Sequence, residues 1–119
     1  MKITKHCERR MNQRGHTKKM IKLAMEIGEA HGEKYVTNKK IIKVFLADLD
    51  QKIKRLSGLK RKFKHLPVVF FISKAITASL AIRGIALKVL DKGGVTVVCE
   101  GTTLITAYNT DSFNRRLYN

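Results

Sequence analysis

His6, Arg10 and Arg14 recur at four-residue intervals in the segment Thr4-Lys5-His6-Cys7-Glu8-Arg9-Arg10-Met11-Asn12-Gln13-Arg14-Gly15. On a helix that spacing lines all three along one face. An imidazole accepts and returns a proton near neutral pH. Guanidinium forks match phosphate oxygens, or the added charge of a pentacoordinate phosphorus. The set therefore suits acid–base chemistry on an anion. Thr106 and Tyr108, in the run Leu104-Ile105-Thr106-Ala107-Tyr108, add hydroxyls that simple alternation would place with Leu104 on one strand face, Ile105 and Ala107 on the other.

Composition indicates the anion. The 119 residues include 25 Lys and Arg against 9 Asp and Glu, a formal net charge of +16. With a pI near 10.3, a phosphodiester polymer is the expected partner, and RNA the expected polymer. The band Lys52-Ile53-Lys54-Arg55 and Lys60-Arg61-Lys62 should supply sequence-independent phosphate contacts, chiefly through Lys54, Arg55, Lys60, Arg61 and Lys62. Lys39 and Lys40 are further candidates for phosphate. Aromatic residues make up only 7% and do not interleave with basic ones, which disfavours a base-stacking platform.

The 44% apolar content fits one globular domain and argues against disorder. Cys7 and Cys99 are the only cysteines, and unpaired thiols in a reducing compartment are expected. His6, His16, His31 and His65 lack metal-ligand spacing with acids or cysteines, so neither a metal nor another cofactor is expected. The first residues turn polar at once, unlike a signal peptide. Residues 66–90 are strongly apolar. Lys74, Arg83 and Lys88 interrupt them, so the expectation is a buried core helix and no membrane partner.

These residues need elements to hold them. Thr4 is positioned to cap a first helix and Gly15 to stop it; Thr17 to cap a second, with Met20, Ile21, Ala24 and Ile27 at core spacing. That helix ends around residues 28–32, and Glu33-Lys34-Tyr35-Val36-Thr37 reads as a short strand. Apolar residues at Ile42, Phe45, Leu46, Leu49, Ile53 and Leu56 predict a helix over about 38–64, which Ser57-Gly58 could kink or end. Pro67 breaks the chain, and residues 68–72 suit a strand or a helix start equally. Residues 73–91 read as helical. Gly93-Gly94 is a turn, and residues 95–99 with 104–108 predict a β-hairpin. The expected class is α+β: an N-terminal helical hairpin, a helical middle, and a small antiparallel β-sheet with a C-terminal β-hairpin. The tail Asn109 to Asn119, with Arg115 and Arg116, should be peripheral.

The pattern Thr4-x-His6-x-x-x-Arg10-Met11-x-Gln13-Arg14-Gly15 resembles the opening motif of the domain of unknown function 4258 family. Met20 to Gly28 and His31-Gly32-Glu33-Lys34 fit its continuation. Gly93-Gly94-Val95-Thr96-Val97-Val98 with Leu104 to Tyr108 is similar to its closing hairpin. The resemblance covers roughly residues 3–40 and 91–109. Thr4 stands where serine is usual, and residues 41–90 are longer and more helical than the family pattern. Residues 1–119 then form a single domain with a helical insertion.

That family is grouped with barnase–EndoU–colicin–RelE-like nucleases, many of them bacterial toxins. The resemblance implies a metal-independent endoribonuclease with its site on the first helix and last strand. His6, Arg10 and Thr106 would be catalytic, and Arg14 would bind phosphate. It also implies action in the cytoplasm, delivery within a secreted system, and an acidic antitoxin or immunity partner. Two alternatives remain at this point: a noncatalytic RNA- or ribosome-binding protein, and an interaction module that docks a partner on its apolar 66–90 helix. Oligomeric state is not legible.

Overall fold

The computed structural model describes residues 1–111. Its elements in chain order are β1 (Lys2–Ile3), α1 (Lys5–Arg14), α2 (Lys18–Ile27), β2 (Glu29–His31), β3 (Lys34–Thr37), α3 (Lys39–Lys62), α4 (Val69–Asp91), β4 (Val95–Glu100) and β5 (Thr103–Asn109). The fold is α+β. One five-stranded sheet runs β1-β5-β4-β3-β2, antiparallel except for the β1–β5 pair. The tail is not peripheral at its start, because Asn109 ends β5 and the Thr110 hydroxyl donates to the Thr37 carbonyl; Arg115 and Arg116 fall outside the described residues.

Local chemistry fixes the helix ends. The Thr4 hydroxyl accepts from the Cys7 amide at 3.1 Å, and the Thr17 hydroxyl from Met20 at 3.2 Å. Asn38 caps α3 through Ile41 at 2.8 Å. Gly15, at φ 70°, closes α1, and the amide of the next residue, His16, reaches back to the Met11 carbonyl. Gly93 and Gly94, at φ 77° and 92°, end α4 the same way, the Gly94 amide returning to Val89.

α1 lies on β5 and α2 on β3 and β4, and the bases of α3 and α4 join the same core through α2. Cys7 and Met11 of α1, Met20, Ile21 and Ala24 of α2, Ile42 of α3, and Ala86 and Val89 of α4 pack on Val95, Val97, Cys99, Leu104 and Ala107. Cys7 and Cys99 are free thiols inside this core, and burial pushes both thiols up from their ordinary value.

Four points refine these expectations. First, β1 and β2 are additional strands too short to announce themselves in sequence. Second, α3 covers the predicted span and does not end at Ser57-Gly58, where Leu49 and Leu56 continue its inner seam at seven-residue spacing. Third, residues 69–91 are not a buried core helix. Only Ile72, Ser79, Ala86 and Val89 are buried, facing α3 and the body, whereas Phe70, Phe71, Leu80, Ile82 and Leu87 are exposed. Residues 69–72 are helix, not strand. α3 and α4 form an antiparallel arm, tied by Arg83 to Asp50 at 2.8 Å, that gives the molecule a 56 Å long axis.

The fourth change concerns β5. Val98 pairs with Thr106 but Cys99 pairs with Leu104, so Ile105 is an extra residue in a β-bulge. The bulge breaks alternation. Leu104 and Ala107 both face the core, and Thr106 and Tyr108 share the opposite face without Leu104.

The length and apolarity of α4 would let it cross a membrane, and little of its apolar stretch is buried in the protein. One such helix is weak evidence for a span.

Candidate active site

α1 lies over β5 because Cys7 and Met11 bury between them, which turns the neighbouring stripe of the helix toward the outer edge of β5. β1 pairs only with Thr103 and Leu104, so among the described residues the outer edge of β5 beyond them has no strand neighbour. Arg14 fills part of that vacancy: its Nη1 donates to the Ala107 carbonyl at 2.5 Å. Arg10 and His6 lie one and two turns back on the same stripe. Both are exposed and make no hydrogen bond or ion pair among the described residues. His6 is the second residue of α1, next to the capped N-terminus whose amides favour an anion.

Thr106 lies on the other face of β5 from Cys7 and Met11. The predicted site therefore does not gather on one surface; it straddles the β5 edge, with His6, Arg10 and Arg14 on the helix side and Thr106 on the opposite side. There Thr106 has company that sequence reasoning missed. Pairing sets His31 beside Lys34, Lys34 beside Val98, and Val98 beside Thr106, one row across four strands. The His31 ring meets Glu29 Oε2 at 3.3 Å, and Tyr108 stands in the next row with Glu29, Val36 and Thr96. No signal in sequence could have placed His31 there, because β2 is only three residues long and its register decides the face.

The other basic residues are dispersed. Lys39 sits at the base of the arm and pairs with Asp111 at 3.2 Å, and Lys40 is exposed beside it. Lys54 and Arg55 lie along α3, and Lys60, Arg61 and Lys62 lie at its distal end. The arm thus carries most of the predicted phosphate contacts away from α1.

His16 is the second residue missed. It is 3% exposed, its Nε2 lies 2.7 Å from Asn109 Oδ1, and its Nδ1 is buried without a hydrogen-bond partner. That arrangement fits a neutral ring whose Nε2–H donates to Asn109. Burial holds its pKa below 6.5, against the pull of the Asn109 bond and with help from Lys92 and Arg14. The ring couples the α1–α2 turn to the end of β5, near the Arg14 anchor.

A pH effect follows. With the folded-state pKa below the unfolded value of 6.5, the unfolded chain binds more protons in the window beneath 6.5. The neutral ring's contribution is fully present above that value and is lost as pH falls toward the folded pKa. Thermal melts should therefore drop between about pH 7.5 and pH 5, and His16→Gln should flatten that dependence. An unchanged slope in the variant would remove His16 as the cause.

The chain matches no known protein family, no curated protein and no solved structure.

Proposed function

We propose that the protein is a metal-independent endoribonuclease of the toxin-like class suggested by its resemblance to the domain of unknown function 4258 family. The observation that carries this reading is the docking of α1 on β5, where Arg14 is fixed to Ala107 and the exposed His6 and Arg10 continue its line. An RNA backbone following the β5 edge meets a proton acceptor, two guanidiniums and, on the far face, the Thr106 hydroxyl.

In the proposed reaction the ribose 2′-oxygen attacks the adjacent phosphorus while His6 takes its proton. The 5′-oxygen leaves with a proton returned by the ring or by water, and a 2′,3′-cyclic phosphate remains. Arg10 and Arg14 stabilise the charge that builds on the phosphoryl oxygens, and Thr106, across the β5 edge, holds an oxygen of a neighbouring phosphate. The net charge of +16 draws RNA in without sequence preference. The place of action is the cytoplasm, reached directly or through a secretion system, and an acidic antitoxin or immunity protein is the expected neutralising partner.

One feature favours a second reading. Lys54, Arg55, Lys60, Arg61 and Lys62 sit on the arm rather than around His6, as a noncatalytic RNA- or ribosome-binding protein would tolerate. Incubating total RNA and tRNA with the purified protein in EDTA separates the two. Cleavage that persists supports the nuclease. Intact RNA with binding that weakens steeply in salt supports the binder.

A further inference from the structure

The distal end of the arm combines two properties that the nuclease reading leaves unused. Leu66, Val68, Phe70 and Phe71 are 51%, 44%, 57% and 68% exposed there. Large apolar side chains clustered on a convex tip mark a contact surface. The same end carries Lys60, Arg61, Lys62 and Lys64. From residue 51 to residue 90 the chain has ten Lys and Arg and no Asp or Glu.

We infer that this tip docks on an anionic lipid surface, with the Leu66–Phe71 turn entering the interface and the surrounding cations meeting phosphate headgroups. The turn's backbone suits such an environment. The amides of Phe63, Leu66, Val69, Phe70 and Phe71 donate to the carbonyls of Leu59, Phe63, Leu66, Pro67 and Val68, Pro67 has no amide, and the amides of Lys64, His65 and Val68 are left to donate to headgroup oxygens. Lys74 lies 4.5 Å from the centre of the Phe70 ring and Lys62 lies 5.4 Å from that of Phe63. Both ammonium groups lie over ring faces, which sets cations directly beside the apolar side chains at the level where headgroup phosphates would meet them. A second copy is the poorer occupant, because a tip-to-tip contact brings four like charges on each side together. RNA matches the cations but gives the exposed phenylalanines no role. This inference departs from the expectation of no membrane partner and stands whether or not the protein cleaves RNA.

Co-sedimentation of the full chain with vesicles tests it. Binding should be strong to phosphatidylcholine vesicles containing phosphatidylglycerol and weak to phosphatidylcholine alone. Phe70→Ser with Phe71→Ser should lower binding to the anionic vesicles by roughly tenfold or more, as should Lys60→Gln, Arg61→Gln, Lys62→Gln and Lys64→Gln together. All these side chains are exposed, so unchanged thermal melts will show that the variants fold. Equal binding by the phenylalanine variant would overturn insertion of the turn. So would absence of binding by the native chain, or a native dimer that the phenylalanine variant converts to monomer.

Discussion

RNA incubated with the His6→Ala protein should stay intact under conditions in which the native protein degrades it, with cleavage down by about 10²- to 10⁴-fold. The expectation rests on the isolation of this side chain. His6 is exposed, touches no other group by hydrogen bond or ion pair, and occupies a helical position where alanine is favourable. Its removal should leave the melting temperature unchanged, so lost cleavage will not reflect lost fold. RNA affinity should stay within about twofold, because one imidazole beside 25 Lys and Arg contributes little to a counterion-driven association. Lost affinity that matches the lost rate would assign His6 to binding instead. Arg10→Ala provides the complement: it should lower the rate at saturating RNA more than it raises KM, as expected of a charge used in the transition state.

The second large effect is structural. Gly94→Ala should destabilise the protein by about 3 kcal/mol or more, roughly 10–20 °C in melting temperature. At φ 92° the backbone disfavours any side chain, and an added Cβ would sit 2.0 Å from the Thr37 carbonyl oxygen. Neither neighbour can retreat. The Gly94 amide is bonded to Val89, and the Thr37 carbonyl receives the Thr110 hydroxyl at 2.8 Å. Gly101→Ala is the control, since Gly101 has φ 60° and open space around it. It isolates the dihedral cost at about 1 kcal/mol. Two equal losses would mean that the close approach to Thr37 is unimportant.

Residues whose roles are decided within one turn of chain were readable from sequence. Thr4, Gly15, Thr17 and Gly93-Gly94 each act on amides or carbonyls a few positions away, and each marks the boundary expected of it. The His6–Arg10–Arg14 stripe was visible for the same reason. Features set by packing were not. α4 is apolar on almost every side, and its pattern contains no statement of whether another surface covers it. The extra residue at Ile105 leaves no local trace, yet it takes the Thr106 and Tyr108 hydroxyls off the core face that Leu104 occupies. His16 became a buried ring because β5 brought Asn109 to it from 93 residues away. The row from His31 to Thr106 likewise exists only through strand register.

The arm has a topological consequence. β3 and β4 are adjacent antiparallel strands in which Thr37 pairs directly with Val95, so the fifty-seven residues between them occupy the place of a hairpin loop. As a slack chain, such a loop would carry a closure entropy of roughly 3.6 kcal/mol at 25 °C from its length alone. Two helices that zip along each other from their own turn need only neighbouring residues to find one another, and they return the chain to its starting point as they do so. The arm thereby acts as a clamp, replacing the long excursion between β3 and β4 with contacts that are local in sequence.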